Sequence, residues 1–212
     1  MTFEQALTAW QQGKREVAIR AWQTLASTGD LNAQYHLAML LDQGNGVERN
    51  ATLAAYYYQQ AAEQGFADAA FNLGVMLDQG DGLRANPNQA VRWYWLAAEQ
   101  GNADAQFRIG LKFDTGDGLP ADSEQAVKWY LEAAAQGQAE ACHNLGRCFA
   151  LGEGVKRDET EAFKWFSIAA KLGITKSEQH RERVGRDLTV QQRSQASQQV
   201  DQWLSRLSLY SA

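Results

Sequence analysis

A unit of 36 residues that recurs four times in tandem, without insertion or deletion, constrains this chain more than any other feature. The copies are residues 29–64, 65–100, 101–136 and 137–172. Glycine, alanine and ring-bearing residues recur at the same positions of each copy. A unit this short cannot bury its own apolar face, so successive copies stack until they share a continuous core. The repeat therefore predicts an architecture built from one supersecondary element.

The first half of each copy has the pattern of an amphipathic helix. A glycine starts each copy and ends the preceding helix, because a residue without Cβ adopts positive φ readily. An alanine, an aliphatic and a bulky residue follow at unit positions 5, 9 and 13, which places them on one helix face. Position 10 is Ala38, Gly74, Gly110 or Gly146. Since a glycine inside a helix costs about 1 kcal/mol relative to alanine, we expect a neighbouring helix backbone to approach closely there.

The second half of each copy begins after a G-x-G turn, which lacks the preceding strand that a phosphate-binding loop requires. The residue at position 22 is a good N-cap in every copy: Asn50, Asn86, Asp122 and Asp158. Three copies have a partner three residues later that predicts a capping box: Gln89, Gln125 and Glu161. Each second helix then carries an aromatic pair, which we interpret as core: Tyr57-Tyr58, Trp93-Tyr94, Trp129-Tyr130 and Trp165-Phe166.

These motifs, A-x-x-x-L-G, G-x-G-[VL] and A-x-x-[WY]-[YF]-x-x-A-A, resemble the Sel1-like repeat, a relative of the tetratricopeptide repeat. The resemblance implies an all-α fold, an α/α superhelical solenoid of antiparallel helix hairpins with a right-handed twist. It also implies use as an adaptor in protein complexes. The first copy departs from the pattern with Ala38 for glycine and Tyr57 for tryptophan.

The two ends of the chain read as caps on the stack. Residues 1–28 resemble a shortened hairpin, with the apolar positions of a second helix in phase with the repeats. Residues 173–212 contain a polar, weakly periodic segment, followed by a capping box at Thr189 and Gln192 and a helical apolar stripe. We therefore expect an N-terminal cap at 1–28, four repeats at 29–172 and C-terminal capping helices at 173–212. A partner-binding amphipathic helix is the alternative for the last segment.

Composition narrows the classes of partner. A net charge of −5 argues against non-specific binding to nucleic acid, which depends on clustered Lys and Arg. The longest apolar run is six residues, Trp93 to Ala98, whereas a membrane span needs about 20. The N-terminus has acidic Glu4 and no cationic start before an apolar core, so it does not read as a secretory signal. We expect a cytoplasmic protein.

The sequence offers few groups for chemistry, and we expect neither a cofactor nor a metal. Cys142 and Cys148 lie six residues apart on one helix, about 9 Å along its axis, too far for a disulfide. With His143 they lack a fourth ligand at zinc spacing. Some proteins that share this resemblance carry a β-lactamase label, but that chemistry needs a serine one helical turn before a lysine. Ser123, Ser167, Ser177 and Ser205 all lack that lysine.

The candidate partner-binding residues lie on the first helices, where positions 4, 8, 11 and 12 vary in chemistry and are expected to face solvent. They are Asn32, His36, Asp68, Asn72, Asp104, Arg108, Lys112, Glu140, Asn144 and Arg147. In solenoids such a row lines the concave surface, and its mixed charges suit a protein or peptide better than a phosphate polymer. An ordinary solvated face is the competing interpretation. Trp95 is a further candidate, as an anchor beyond the core pair.

The sequence thus predicts a monomeric, non-enzymatic scaffold that binds a protein or peptide on its concave face. The resemblance allows a bacterial assembly factor, a signalling adaptor or an immunity protein that sequesters a toxin. The alternative is a hydrolase of the β-lactamase type.

Overall fold

The computed structural model describes the backbone of residues 1–210 and the side chains of residues 1–207. This part of the chain is entirely helical apart from its turns, with no strand. Its twelve helices are α1 (Phe3–Gln11), α2 (Arg15–Ser27), α3 (Leu31–Gln43), α4 (Ala51–Glu63), α5 (Ala67–Gln79), α6 (Pro87–Glu99), α7 (Ala103–Thr115), α8 (Ser123–Ala135), α9 (Ala139–Leu151), α10 (Glu159–Lys171), α11 (Lys176–Gly185) and α12 (Val190–Tyr210). Helices α3 to α10 form the four repeats, two to a copy, and each is 13 residues long.

The second helix of each copy starts where its N-cap residue predicts. The side chains of Asn50, Asn86 and Asp122 accept from the backbone N–H three residues on. Asp158 accepts from the backbone N–H groups of Thr160 and Glu161. The prediction of a second capping-box hydrogen bond, from the N-cap backbone N–H to the side chain three residues later, is wrong. The N-cap backbone N–H instead donates to the position-13 carbonyl of the first helix, over 2.8–2.9 Å: Asn50 to Leu41, Asn86 to Leu77, Asp122 to Phe113 and Asp158 to Phe149. This bond closes each hairpin.

The glycines within the first helices make room mainly for a ring, whereas the sequence predicted the close approach of a helix backbone. A Cβ on Gly74 would lie 2.7 Å from the ring of Tyr94, and one on Gly110 would lie 2.6 Å from the ring of Tyr130. Close backbone approach occurs instead at the second turn glycine. A Cβ on Gly82 would lie 2.3 Å from the carbonyl carbon of Ala51 in the preceding copy. Gly154 has the same relation to Ser123.

The helices form two compact units, Met1–Asn102 and Ala103–Ala212. In the first unit, each helix from α1 to α6 packs against the next one along the chain. Its largest fully buried side chains include Trp22, Tyr58 and Tyr94, one from each second helix. The second member of each aromatic pair is buried as predicted, whereas the first members Tyr57, Trp93 and Trp129 are only half-buried.

The second unit is built in the same way from α7 to α10 and then closes with the last two helices. Helices α11 and α12 both pack against α10. Val200 and Ala196 of α12 are almost fully buried, and the ring of Trp203 lies 6.3 Å from that of Trp165. The predicted capping box at the start of α12 is confirmed, because Thr189 and Gln192 exchange backbone-to-side-chain hydrogen bonds.

Candidate functional site

The structure places the predicted binding residues of the first copy at the N-terminal end of the repeats. Asn32 is exposed, but His36 is half-buried among rings. The His36 ring lies 4.8 Å from Phe3 and 5.6 Å from Trp22, measured between centroids. Its Nδ1 lies 3.1 Å from the carbonyl oxygen of Asn32. His36 therefore helps to pack α1 and α2 onto α3 and presents little surface to a partner.

Two candidates on α5 connect one copy to another within the first unit. Asp68 is exposed, and its Oδ1 accepts a hydrogen bond from Asn102 Nδ2 over 2.8 Å. Asn72 is half-buried, and its side chain lies near the hydroxyls of Tyr35 and Tyr58 in the preceding copy. Burial raises the pKa of Tyr58 above its ordinary range, and Asp42 adds to the effect. Asn72 thus faces two tyrosines of the preceding copy, and Asp68 is the more accessible of the two.

In the second unit, three polar side chains meet at the start of α9. Gln138 Nε2 donates to Asp104 Oδ1 over 3.4 Å and to Glu140 Oε2 over 3.0 Å. Asp104 and Glu140 are both exposed, in the first turns of α7 and α9. Two carboxylates on one amide make this the most accessible cluster among the predicted residues that the structure describes.

Two other candidates in this unit are used for internal contacts around Asp114. Arg147 bridges Asp114 and Glu153 with charge-assisted hydrogen bonds. The hydroxyl of Tyr130 donates to Asp114 Oδ2 over 3.1 Å, and the side chain of Asn144 lies near Tyr130. Burial raises the pKa of Tyr130, and the adjacent Asp114 charge raises it further. Arg147 and Asn144 therefore form part of a network that connects two copies.

The expectation that Lys112 faces solvent is wrong. Its residue is 6% exposed, and its Nζ donates to Asp117 Oδ2 over 2.7 Å. The aliphatic stem lies against the hairpin while the ammonium reaches the turn, as long cationic side chains often do. Arg108 is half-buried on the same helix. Among the predicted residues of α7, Asp104 is therefore the exposed one.

Trp95 is half-buried, and its indole Nε1 donates to Glu99 Oε1 over 2.8 Å on the same helix. Its neighbour Trp93, which the sequence analysis assigned to the core, instead lines an open groove of about 920 Å³ in the first unit.

This groove in the first unit was not predicted from the sequence. Leu73 and Leu77 of α5 contribute to its apolar part, and Gln59 of α4 lines one side. The remaining lining residues come from the turn after α5 and from α6: Leu83, Arg84, Ala85, Asn86, Gln89, Arg92, Trp93 and Leu96. The signal in the sequence was the pair of cations at positions 20 and 28 of one copy, Arg84 and Arg92.

A hydroxyl–imidazole contact occurs in the second unit. His143 Nδ1 lies 2.8 Å from Ser177 Oγ, but Ser177 is completely buried and His143 is 7% exposed. Burial lowers the pKa of His143 to about 4, and the nearby basic side chains of Lys176, His180 and Arg147 lower it in the same direction. In this arrangement a substrate could not reach the serine hydroxyl, so the contact serves to join α9 to α11.

Neither cysteine is in a disulfide, and both thiols are buried. Burial raises the pKa of Cys142 to about 12 and that of Cys148 to about 11, which disfavours the reactive thiolate. Within the described residues there is no cluster of three or more His, Cys, Asp or Glu side chains that could hold a metal ion. In that part of the chain, no helix combines the length and apolar character needed to cross a membrane.

A sequence model described as Sel1 repeat matches four consecutive segments, about two thirds of the chain: residues 31–66, 67–102, 103–138 and 139–174. These segments begin two residues later than the copies defined above, which is a difference in repeat phase. No curated protein matches the chain.

Solved structures resemble the chain over most of its length. A Sel1 repeat protein from Oxalobacter formigenes is 33% identical, with 85% of this chain and 74% of that chain covered and a TM-score of 0.78. A protective antigen of uropathogenic Escherichia coli, described as displaying an SLR fold, is 32% identical, with 93% of this chain covered and a TM-score of 0.84. The chain spans 44% of that antigen. These likenesses and the helices confirm the predicted fold class, an all-α solenoid of antiparallel hairpins.

An immunity protein from Pseudomonas aeruginosa is 17% identical, with 90% of this chain and 74% of that chain covered and a TM-score of 0.51. At that identity the likeness concerns the fold alone.

Proposed function

The chain belongs to the Sel1 repeat family, and from this premise we propose that it is a non-catalytic scaffold that binds a protein or peptide partner. The observation that carries the proposal is that repeated positions stabilise the fold, whereas exposed positions vary from copy to copy. N-caps, turn glycines and buried rings recur and hold the hairpins together. Position 4 of the first helices stays exposed while its side chain changes from Asn32 to Asp68, Asp104 and Glu140.

Helical repeats recognise partners in this way, because the same helical structure in each copy presents side chains that can differ from copy to copy. In the second unit the exposed pair Asp104 and Glu140 meets at Gln138. A pair of carboxylates on a fixed amide suits a basic or hydrogen-bond-donating segment of a partner. We infer that this cluster belongs to the partner surface, with Asp68 and Asn32 in the same repeat position of the first unit.

Three specific roles fit such a scaffold: an assembly factor, a signalling adaptor and an immunity protein. Each of them acts by binding another protein. We propose a cytoplasmic monomer for all three, with 1–28 and 173–212 as caps on the four repeats. A β-lactamase-type hydrolase gains no support, because the serine in contact with an imidazole is completely buried.

The proposal is tested by recovery of partners on the tagged full chain from the native cell, with quantitative mass spectrometry. The variant Asp104→Asn with Glu140→Gln should lower recovery of the main partner several-fold. The matched control is Glu124→Gln with Glu159→Gln, which removes two carboxylates from the first turns of α8 and α10. Both variants lose similar helix-dipole stabilisation, about 0.3–1 kcal/mol for each carboxylate. Equal recovery of the partner with the native chain, the variant and the control would show that Asp104 and Glu140 do not belong to the partner surface.

A further inference from the structure

Among the described residues of the first unit, the groove between α4 and α6 differs in charge from the rest of this acidic chain. Its lining contains two arginines, Arg84 and Arg92, and no carboxylate. Glu63 accepts a hydrogen bond from Gln59 over 2.7 Å but is not a lining residue. In a chain with a net charge of −5, a cation-lined groove without acidic residues is a local reversal of sign.

Both arginines are exposed, and neither forms an ion pair with a residue that the structure describes. A guanidinium presents several N–H donors in a planar fork that matches a carboxylate. Arg84 lies on the turn after α5, and Arg92 lies on α6. The two therefore offer charge-assisted hydrogen bonds from two different elements around one groove.

The groove also has an apolar part. Leu73 and Leu77 belong to the buried face of α5, and Trp93 and Leu96 of α6 are half-buried. A partly exposed tryptophan beside leucines can anchor an apolar side chain of a partner. The polar lining side chains Gln59, Asn86 and Gln89 can hydrogen bond to a peptide backbone.

At the equivalent position of the fourth copy, the cationic side chain is neutralised by a carboxylate. There Lys164 replaces Arg92, and it forms an ion pair with Glu161, which replaces Gln89. The Lys164 ammonium also lies 5.0 Å from the centroid of the Trp165 ring. Leu131, which is 41% exposed, replaces Gln59. Lys164 is thus paired within the fourth copy. Arg84 and Arg92 of the second copy form no ion pair with a described residue.

We propose that the groove lined by Arg84, Arg92 and Trp93 binds an acidic segment of a protein partner, with carboxylates on the arginines and an apolar side chain against Trp93 and Leu96. This inference rests on the proposed function and names the chemistry of a second binding surface, separate from the carboxylate cluster on α7 and α9. The acidic chain as a whole argues against a nucleic acid as the occupant.

The test is selection of a random dodecapeptide display library on the native full chain, followed by binding measurements with the selected peptides labelled with fluorescein. Peptides that combine Asp or Glu with an aromatic or aliphatic residue should be enriched. The variant Arg84→Glu with Arg92→Glu should weaken their binding by about tenfold or more. Gln89→Glu should also weaken it, since it places in the groove the carboxylate that the fourth copy has. Gln89 is at the third position of α6, where glutamate favours the helix, so this variant should fold.

The matched control is Lys128→Glu with Lys156→Glu. These exposed lysines occupy the repeat positions of Arg92 and Arg84 in other copies, and the change in net charge is the same. The control should bind the peptides as the native chain does. Circular dichroism should be the same for the native chain and all variants.

Equal peptide binding by the native chain and the Arg84→Glu, Arg92→Glu variant would show that the groove is not the binding site. The partner-recovery result would not be affected. Recovery of no peptide, or of peptides without carboxylates, would overturn the acidic chemistry. Displacement of the peptides by a labelled oligouridylate that depends on the same arginines would assign the groove to nucleic acid instead. The partner-recovery assay on Asp104 and Glu140 fails or succeeds independently of these outcomes.

Discussion

Gly110 illustrates how a residue that is unfavourable in isolation can be the best residue in context. Alanine is the better helix former by about 1 kcal/mol, yet a Cβ there would lie 2.6 Å from Tyr130 and 3.3 Å from the carbonyl oxygen of Ala126. Without that Cβ, the ring packs against α7, and its hydroxyl reaches Asp114 on the next helical turn, 3.1 Å away. Gly74, Tyr94 and Asp78 repeat the arrangement in the first unit.

We predict that Gly110→Ala lowers the free energy of unfolding by about 1–3 kcal/mol, because the buried ring must shift to admit the methyl group. The measurement is urea denaturation followed by circular dichroism. Ala38→Gly, at the same repeat position of the first copy, should also destabilise, by about 1 kcal/mol. Helix propensity acting alone would give the two variants opposite signs, so a stabilised Gly110→Ala would contradict the steric account.

Helix α11 is attached to the last repeat through a histidine that must stay neutral. His143 of α9 contacts Ser177 of α11 over 2.8 Å, and His180 of α11 stacks on Phe166 of α10. Burial first, and then the basic side chains of Lys176, His180 and Arg147, lower the pKa of His143 to about 4. The pKa of His180 is lowered as well, mainly by burial. Protonation in the folded state would place another positive charge among these groups.

Because the folded pKa of His143 lies below the ordinary value of about 6.5, the unfolded chain takes up its proton first as the pH falls. Stability is therefore fully present above pH 7 and is lost between about pH 6.5 and pH 4, by about 3 kcal/mol from this group. We predict that the native chain loses more stability than His143→Asn between pH 7 and pH 4, measured by urea denaturation. Equal losses would mean that other groups account for the acid sensitivity.

The helices of this chain could be predicted from sequence because each boundary has a local cause. Asn50 or Asp122 caps a helix start, and a glycine such as Gly65, with φ of +91°, ends one. The candidate site was harder to predict because exposure depends on the adjoining copy. Asn72 looked like a free polar residue until Tyr58 was placed beside it. The groove was missed for a related reason, since its lining combines Gln59 of the first copy with side chains of the second copy.

At the level of the whole chain, the last helix covers apolar surface of the fourth repeat. In the second unit, Val200 of α12 is 1% exposed and belongs to the same core cluster as Trp165 and Ile168 of α10. Lys171 of α10 also donates to Asp201 of α12 over 2.7 Å. Uncapped repeat stacks associate with one another because their end faces are complementary to a further copy. We therefore propose that α12 keeps the chain monomeric.

We predict that Val200→Asp releases α12, because an aspartate at this site would be a buried charge without a partner. The exposed apolar face of α10 should then cause self-association, seen as a concentration-dependent rise in mass by sedimentation equilibrium. Gln198→Asp adds the same charge at an exposed position of α12 and should stay monomeric. A monomeric Val200→Asp with native stability would show that α12 is not a cap.

The turn glycine that rests on the preceding copy also sets the increment by which a protein of this kind can lengthen. Gly82 sits against the backbone of Ala51, and Gly154 sits against that of Ser123, so the distance between these points along the chain is part of the packing. One extra residue in the turn would pull the glycine out of register and drive a side chain into a carbonyl group. Adding or removing an entire copy preserves every such contact. Evolution can therefore change the reach of this scaffold only in whole repeats, and each added copy brings its own set of variable surface residues.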